Sequence, residues 1–270
     1  MKNILVHIRD DRGQADRLAV ALTLARTLDA QLTCVQVTPY TAFVIADPLG
    51  GMFVSPSVLE ALRAREEAEQ ARIEQEIAQA GITWDWYRFD GDAVRAMISR
   101  ARLADLVVVS LPGDGTDDQA APLPMVADVA IHAGAPVLAL PREPGRFDSG
   151  AAAMVAWNGT AEAAHGLRAA IPFLRGASAV HVVTVAERAM ELPPADAERY
   201  LARYGIAAQL HEWPRGTGDI AAALTNAAQT LEVSYIVMGA YGHSRLRESI
   251  LGGVTGSLIA RSPFPLLLAR

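Results

Sequence analysis

Near the C-terminal end the chain reads Tyr235-Ile236-Val237-Met238-Gly239-Ala240-Tyr241-Gly242, an apolar run that stops at two glycines three residues apart. An earlier stretch, Leu106-Val107-Val108-Val109-Ser110-Leu111-Pro112-Gly113, has the same shape 129 residues upstream. The same offset lays Ala135-Pro136-Val137-Leu138 over Phe264-Pro265-Leu266-Leu267. Working outward, Leu5-Val6-His7-Ile8 lies over Met154-Val155-Ala156-Trp157 at an offset of 149, so the first copy carries 149 − 129 = 20 extra residues. They fall between Pro39 and Glu67, where the second copy has no stretch of similar length after Val185. A repeat of this period predicts two tandem domains, residues 1–144 and 151–270. Pro141-Arg142-Glu143-Pro144-Gly145-Arg146-Phe147-Asp148-Ser149-Gly150 has the prolines, glycines and charges of a linker.

Within each copy the signals come in one order. A short apolar run (4–8; 154–157) precedes a helical pattern whose stripe is Leu18, Leu22, Ala25 and Leu28 in the first copy. In the second it is Leu167, Ala170, Ile171 and Leu174, with Thr160 as N-cap and Pro172 expected to kink the helix. Runs 32–37 and 180–185 are apolar without alternation, as in a sheet covered on both faces. Residues 59–80 read as a long charged amphipathic helix whose counterpart, 195–204, is much shorter. Weak strands at 83–89 and 207–213, helices at 93–103 and 220–231, strands at 106–110 and 235–239, and final strands at 136–140 and 265–268 complete each copy. Alternating β and α at this spacing predicts an α/β class with two tandem doubly wound parallel five-stranded sheets.

Composition narrows the function. The chain has 270 residues, half of them hydrophobic, and 24 Lys plus Arg against 30 Asp plus Glu leave a net charge of −6. Nucleic-acid binders are normally basic, so that partner class is not expected. No apolar run approaches the roughly 18 residues of a spanning helix, and Arg9, Asp10 and Asp11 follow the first apolar run too soon for a secretory segment. The expectation is a cytoplasmic protein away from membranes. Cys34, the one cysteine, has no partner for a disulfide and sits in an apolar run, where a buried, inert thiol is expected. His7, His132, His165, His181 and His211 show no ligand spacing, and no metal site is predicted.

The residues richest in chemistry follow the run at 235. Gly239-Ala240-Tyr241-Gly242, nine residues from His243 to Leu251, and then Gly252-Gly253-Val254-Thr255 place bare amides and a helix start after a strand. Glycine lets backbone N–H groups approach an oxyanion, and a helix N-terminus adds its dipole, so main chain beyond residue 238 is expected to turn its amides toward a phosphate. Ligands of open α/β sheets sit at the carboxyl ends of the strands, where these loops are. Thr255 or Ser257 would add a hydroxyl. His243 is read as a loop residue that at most touches phosphate, Tyr241 as packing over the loop, and Arg215 and Asp219 as a cap rather than a ligand pair.

With these motifs the chain resembles a tandem universal stress protein, two UspA-type domains in one polypeptide, over essentially its whole length. The resemblance implies a Rossmann-like fold of the adenine nucleotide alpha hydrolase-like kind. Nucleotide-binding members carry G-x2-G-x9-G-(S/T), and Gly239, Gly242 and Gly252 fill its glycines. Gly253 stands where Ser or Thr is usual, and Asn158 stands where a first-strand aspartate meets the nucleotide. Val185 matches the adenine-side position. The implied nucleotide-binding set is Trp157, Asn158, Val185, Met238, Gly239, Gly242, His243, Gly252, Gly253, Val254 and Thr255. In the first copy the matching positions are Arg9, Ser110, Gly113, Leu123 and Pro124. Proline offers no N–H, so that half is expected to be a degenerate scaffold.

The resemblance therefore implies a stress-response regulator that binds ATP or a related adenine nucleotide, with or without Mg2+, in its C-terminal domain. It further implies an intramolecular pseudo-dimer through the closing strands, with a homodimer of chains as an open further arrangement. No catalytic residue is assigned, and any ATPase activity is expected to be weak. Two alternatives stand beside this: a nucleotide-free protein-interaction module of the same fold, and an adenylyl transferase, whose H-x-G-H or S-G-G-x-D-S motifs are missing from this sequence.

Overall fold

The structure, a computed structural model, describes residues 1–38, 45–46, 52–53, 56–112, 124–141, 147–185, 190–241 and 253–270. The first half runs β1 (Asn3–Ile8), α1 (Gln14–Leu28), β2 (Gln31–Thr38), the two-residue strands β3 (Ile45–Ala46) and β4 (Met52–Phe53), α2 (Pro56–Gln79), β5 (Trp84–Asp90), α3 (Ala93–Ala101), β6 (Leu106–Ser110), α4 (Val126–His132) and β7 (Val137–Leu140). The second half runs β8 (Ala153–Ala156), α5 (Ala161–Leu174), β9 (Val180–Val185), α6 (Pro194–Ala202), β10 (Gln209–Trp213), α7 (Ile220–Thr230), β11 (Tyr235–Gly239), α8 (Val254–Arg261) and β12 (Leu266–Ala269). The extra length of the first copy falls on β3, β4, the start of α2 and residues outside the described set.

Strands β5-β2-β1-β6-β7 and β10-β9-β8-β11-β12 are two parallel sheets of one topology. They merge into a single ten-stranded sheet because β7 and β12 pair antiparallel, with Leu266 opposite Ala139, Leu267 opposite Leu138 and Leu268 opposite Val137. That joint removes two of the four sheet edges and leaves β5 and β10 outermost.

Side chains alternate between the faces of each strand. On β1, Ile4, Val6 and Ile8 enter one apolar layer, with Leu18 of α1, Ile73 of α2, Leu167 of α5 and Leu201 of α6. Leu5 enters the other, with Met97 of α3, Val129 of α4, Leu224 of α7 and Leu258 of α8. Both layers run through both halves, which is why the central strands show apolar residues on both faces rather than a polar–apolar alternation. Helix α5 starts on Thr160, whose hydroxyl accepts from the Ala163 amide at 3.3 Å, and ends two residues after Pro172. Asp219 caps α7 by accepting from the Ala222 amide at 2.7 Å, so its role is structural. Cys34 is buried, and burial with Glu74 nearby pushes its thiol up to about 12.

Candidate functional site

In the second half the carboxyl ends of β8 and β11 face the starts of α5 and α8. After β8 the chain turns through Trp157, Asn158 and Gly159. Trp157 is buried and donates from Nε1 to the Leu192 carbonyl at 3.0 Å, so its ring anchors the segment before α6. Gly159 adopts φ +74, and a Cβ there would meet the Leu192 carbonyl oxygen at 2.7 Å. Asn158 is exposed, and its Oδ1 accepts from the Thr160 amide at 3.3 Å and the Thr160 hydroxyl at 2.9 Å. That carbonyl closes a turn onto the α5 cap. The side-chain amide of Asn158 makes no hydrogen bond with the described residues.

Gly239 is bare for a reason that the motif does not contain. A Cβ there would lie 2.4 Å from the carbonyl carbon of Glu162, and one on Gly166 would lie 2.9 Å from the Met238 carbonyl. Helix α5 thus rides directly on the β11 backbone. The Ala240 amide donates to the Ala269 carbonyl at 2.8 Å and is spent on the sheet. The Ala240 amide, one of those expected to turn toward a phosphate, is therefore not available to an anion. Tyr241 is left-handed at φ 49 and packs, partly buried, against the apolar layer of α3, α4, α7 and α8; the loop it was expected to cover lies outside the described residues. Burial and then Asp128 of α4 raise the pKa of its hydroxyl. Gly253 precedes α8 at φ 149, ψ 177, a backbone state that an L side chain resists, and among the described residues no side chain caps the helix. Its glycine, where the family pattern has Ser or Thr, matches that geometry. The first turn of α8 presents Val254, Thr255 and Gly256, whose amides have no intrahelical acceptor. Val185 ends β9, half-buried, and Met238 is buried in the core. Gly242, His243 and Gly252 lie outside the described residues.

The first half fills the corresponding place with its own side chains. Arg17, at the position of Gly166 by the 149-residue offset, is 1% exposed. Its Nε donates to the His7 carbonyl at 2.8 Å. Nη1 donates to Asp11 Oδ1 at 2.9 Å and Ser110 Oγ at 2.8 Å, and Nη2 to the Arg9 carbonyl at 3.2 Å and Asp11 Oδ2 at 3.3 Å. A guanidinium has five N–H groups, and all five are engaged. Asp11 Oδ1 also accepts from the Gly13 amide at 2.9 Å. Gly13 must be bare, since a Cβ would sit 2.4 Å from Ser110 Oγ. The joint that is helix backbone against strand backbone in one half is an arginine wedge in the other. Burial, then Arg17, then Arg9 hold the His7 imidazole well below its ordinary pKa.

No glycine motif in the sequence marks Arg17. Carrying the 149-residue offset on to Gly13/Glu162 and Arg17/Gly166 would have found it. The meeting of His181 with His211 was also missed, because strand register creates it. A groove of about 500 Å3 between α7 and α8, lined by Asp219, Thr225, Asn226, Gln229, Ser257 and Arg261 among others, includes none of the implied nucleotide-binding set; of the other candidates it holds Ser257, the alternative hydroxyl donor, and Asp219, which caps α7. Among the described residues no three His, Cys, Asp or Glu side chains form a metal-binding group, and no helix is long and apolar enough to cross a membrane.

Residues 152–270 match the family model described as the universal stress protein family. No curated protein matches the sequence. Among solved structures, a universal stress protein from Archaeoglobus fulgidus DSM 4304 is 18% identical, with 99% of this chain and 98% of that one covered at a TM-score of 0.77. A functionally unknown protein from Pseudomonas aeruginosa PAO1 is 15% identical, with 100% and 92% covered at a TM-score of 0.65. At such identities the likeness is one of fold, and it extends through both halves.

Proposed function

We propose, from the match of residues 152–270 to the universal stress protein family model, that the chain is a cytoplasmic stress-response regulator whose C-terminal half binds ATP or a related adenine nucleotide, with or without Mg2+. The observation that carries this reading is the uncapped start of α8 at Gly253, at the carboxyl end of β11 and at the right spacing from Gly239. Val254 and Thr255 then supply first-turn amides, Gly242, Gly252 and His243 the rest of the phosphate loop, and Asn158 a neutral donor for a sugar hydroxyl. Trp157 and Met238 act from beneath, as buried supports, and Val185 borders the base. Domains 1–144 and 151–270 then form a pseudo-dimer across β7 and β12, the first as scaffold. No nucleophile or base is assigned, so the function is occupancy: a bound nucleotide shifts the population of loop conformations that a partner meets.

A thermal-shift titration of the whole chain with ATP and Mg2+ tests this. A saturable rise in melting temperature that follows RT ln(1 + [L]/Kd) is expected; no rise at millimolar nucleotide overturns it. The nucleotide-free interaction module is the second reading. It is favoured by the Asn158 carbonyl being turned onto Thr160 and the Ala240 amide being spent on Ala269.

A further inference from the structure

Strands β9 and β10 bring together two imidazoles 30 residues apart in the chain. In the parallel register His181 is opposite Gln209 and His211 is opposite Val183, so the two histidines are diagonal neighbours on one face. That is the face on which Val183 joins the core beneath α7. His181 Nδ1 and His211 Nε2 are 3.1 Å apart, with the rings tilted by 54° and their centroids 5.1 Å apart. The Thr184 hydroxyl donates to the His211 carbonyl at 3.3 Å and holds the register. His181 is 7% exposed, whereas His211 is only partly buried on an edge strand and gives the pair a route to solvent.

We infer that His181 and His211 form a two-imidazole site for a borderline transition ion such as Zn2+ at the β9–β10 edge. Zinc–nitrogen bonds are about 2.0–2.1 Å, and nitrogens 3.1 Å apart subtend about 98° at such an ion, near the tetrahedral angle. The facing nitrogens thus already have the separation that an inserted ion needs. In the free pair one ring N–H is shared between them. On binding, the donor ring carries its proton on its other nitrogen, both facing lone pairs go to the metal, and two neutral imidazoles release no net proton. With no third His, Cys, Asp or Glu beside the pair among the described residues, water completes the coordination and the affinity falls short of a four-ligand structural site.

Calorimetric titration of the whole, nucleotide-free chain with ZnCl2 tests the site. One Zn2+ per chain is expected, weakened at least about tenfold in His211→Gln, as loss of a direct ligand should cost no less than loss of an outer-shell partner. His165→Gln, on the exposed face of α5, should leave binding unchanged. His181→Gln should act like His211→Gln, and His211→Gln decides the case if the buried change unfolds the protein. Nitrogen NMR of the wild-type chain should show His181 Nδ1 and His211 Nε2 moving on zinc addition. No saturable binding, binding untouched by His211→Gln, or binding abolished instead by His243→Gln would overturn the site.

Discussion

Arg17 shows how one side chain decides what half a molecule can do. Buried charge is tolerated only when it is paired and fully hydrogen-bonded, and the five contacts of Arg17 meet that condition. Arg17→Leu leaves the Asp11 carboxylate buried without its cation, and a loss of about 3–5 kcal/mol in urea unfolding is expected. Adding Asp11→Asn should restore part of that, making the double variant less damaged than the sum of the singles. In the other half Gly239→Ala drives a Cβ into the Glu162 backbone, which cannot swing aside. Its destabilisation should reach or exceed the upper end of the about 1–3 kcal/mol typical of overpacking. His7 gives the residue scale its pH dependence. Its folded pKa is lowered, so below about 6.5 the unfolded chain takes up a proton that the folded chain refuses. Stability is full above that pH and falls as pH drops toward the folded pKa, by up to about 1.4 kcal/mol per unit. Denaturant melts between pH 7 and 5 should show this slope, and His7→Gln should flatten it.

At the scale of elements, the central strands were legible because both faces are buried: 106–110, 180–185 and 235–239 come out with the expected bounds. The edge strands were weak in sequence for the opposite reason. In β5 the burial alternates irregularly through Trp84–Asp90, and β10 is largely exposed, so neither carries a clean apolar period. Helix α2 was legible as amphipathic, yet only Ile73 and Ile77 of it are buried, and its middle turn meets β2 through Glu66, which accepts from the Thr38 hydroxyl at 2.8 Å. The candidate site was legible only in its glycine spacing. What surrounds it depends on residues far apart in the chain: Arg17 with Ser110, Gly239 with Glu162, Trp157 with Leu192. No local pattern encodes such pairs. One local device does carry a prediction. Thr160→Ala removes both the α5 cap and the hydroxyl that orients Asn158, and should cost about 1 kcal/mol in thermal unfolding.

For the whole molecule, the antiparallel joint of β7 and β12 couples the two halves. Leu138 and Leu267 are opposite each other and essentially inaccessible to water. Leu267→Asp buries an unpaired charge at that seam, and a loss of about 4 kcal/mol or more is expected. Hydrogen exchange should speed up in β6 as well as β11, since the sheet and both apolar layers are continuous; acceleration confined to the second half would argue against coupling. The two halves differ at the place of the candidate site: Arg17 fills it in the first, and in the second the proposed nucleotide site lies at Gly253 and the start of α8. Isothermal titration of the chain with ATP and Mg2+ tests it most directly. One nucleotide per chain is predicted, lost in Gly253→Val while the fold survives; two per chain, or one that Gly253→Val leaves untouched, would contradict it.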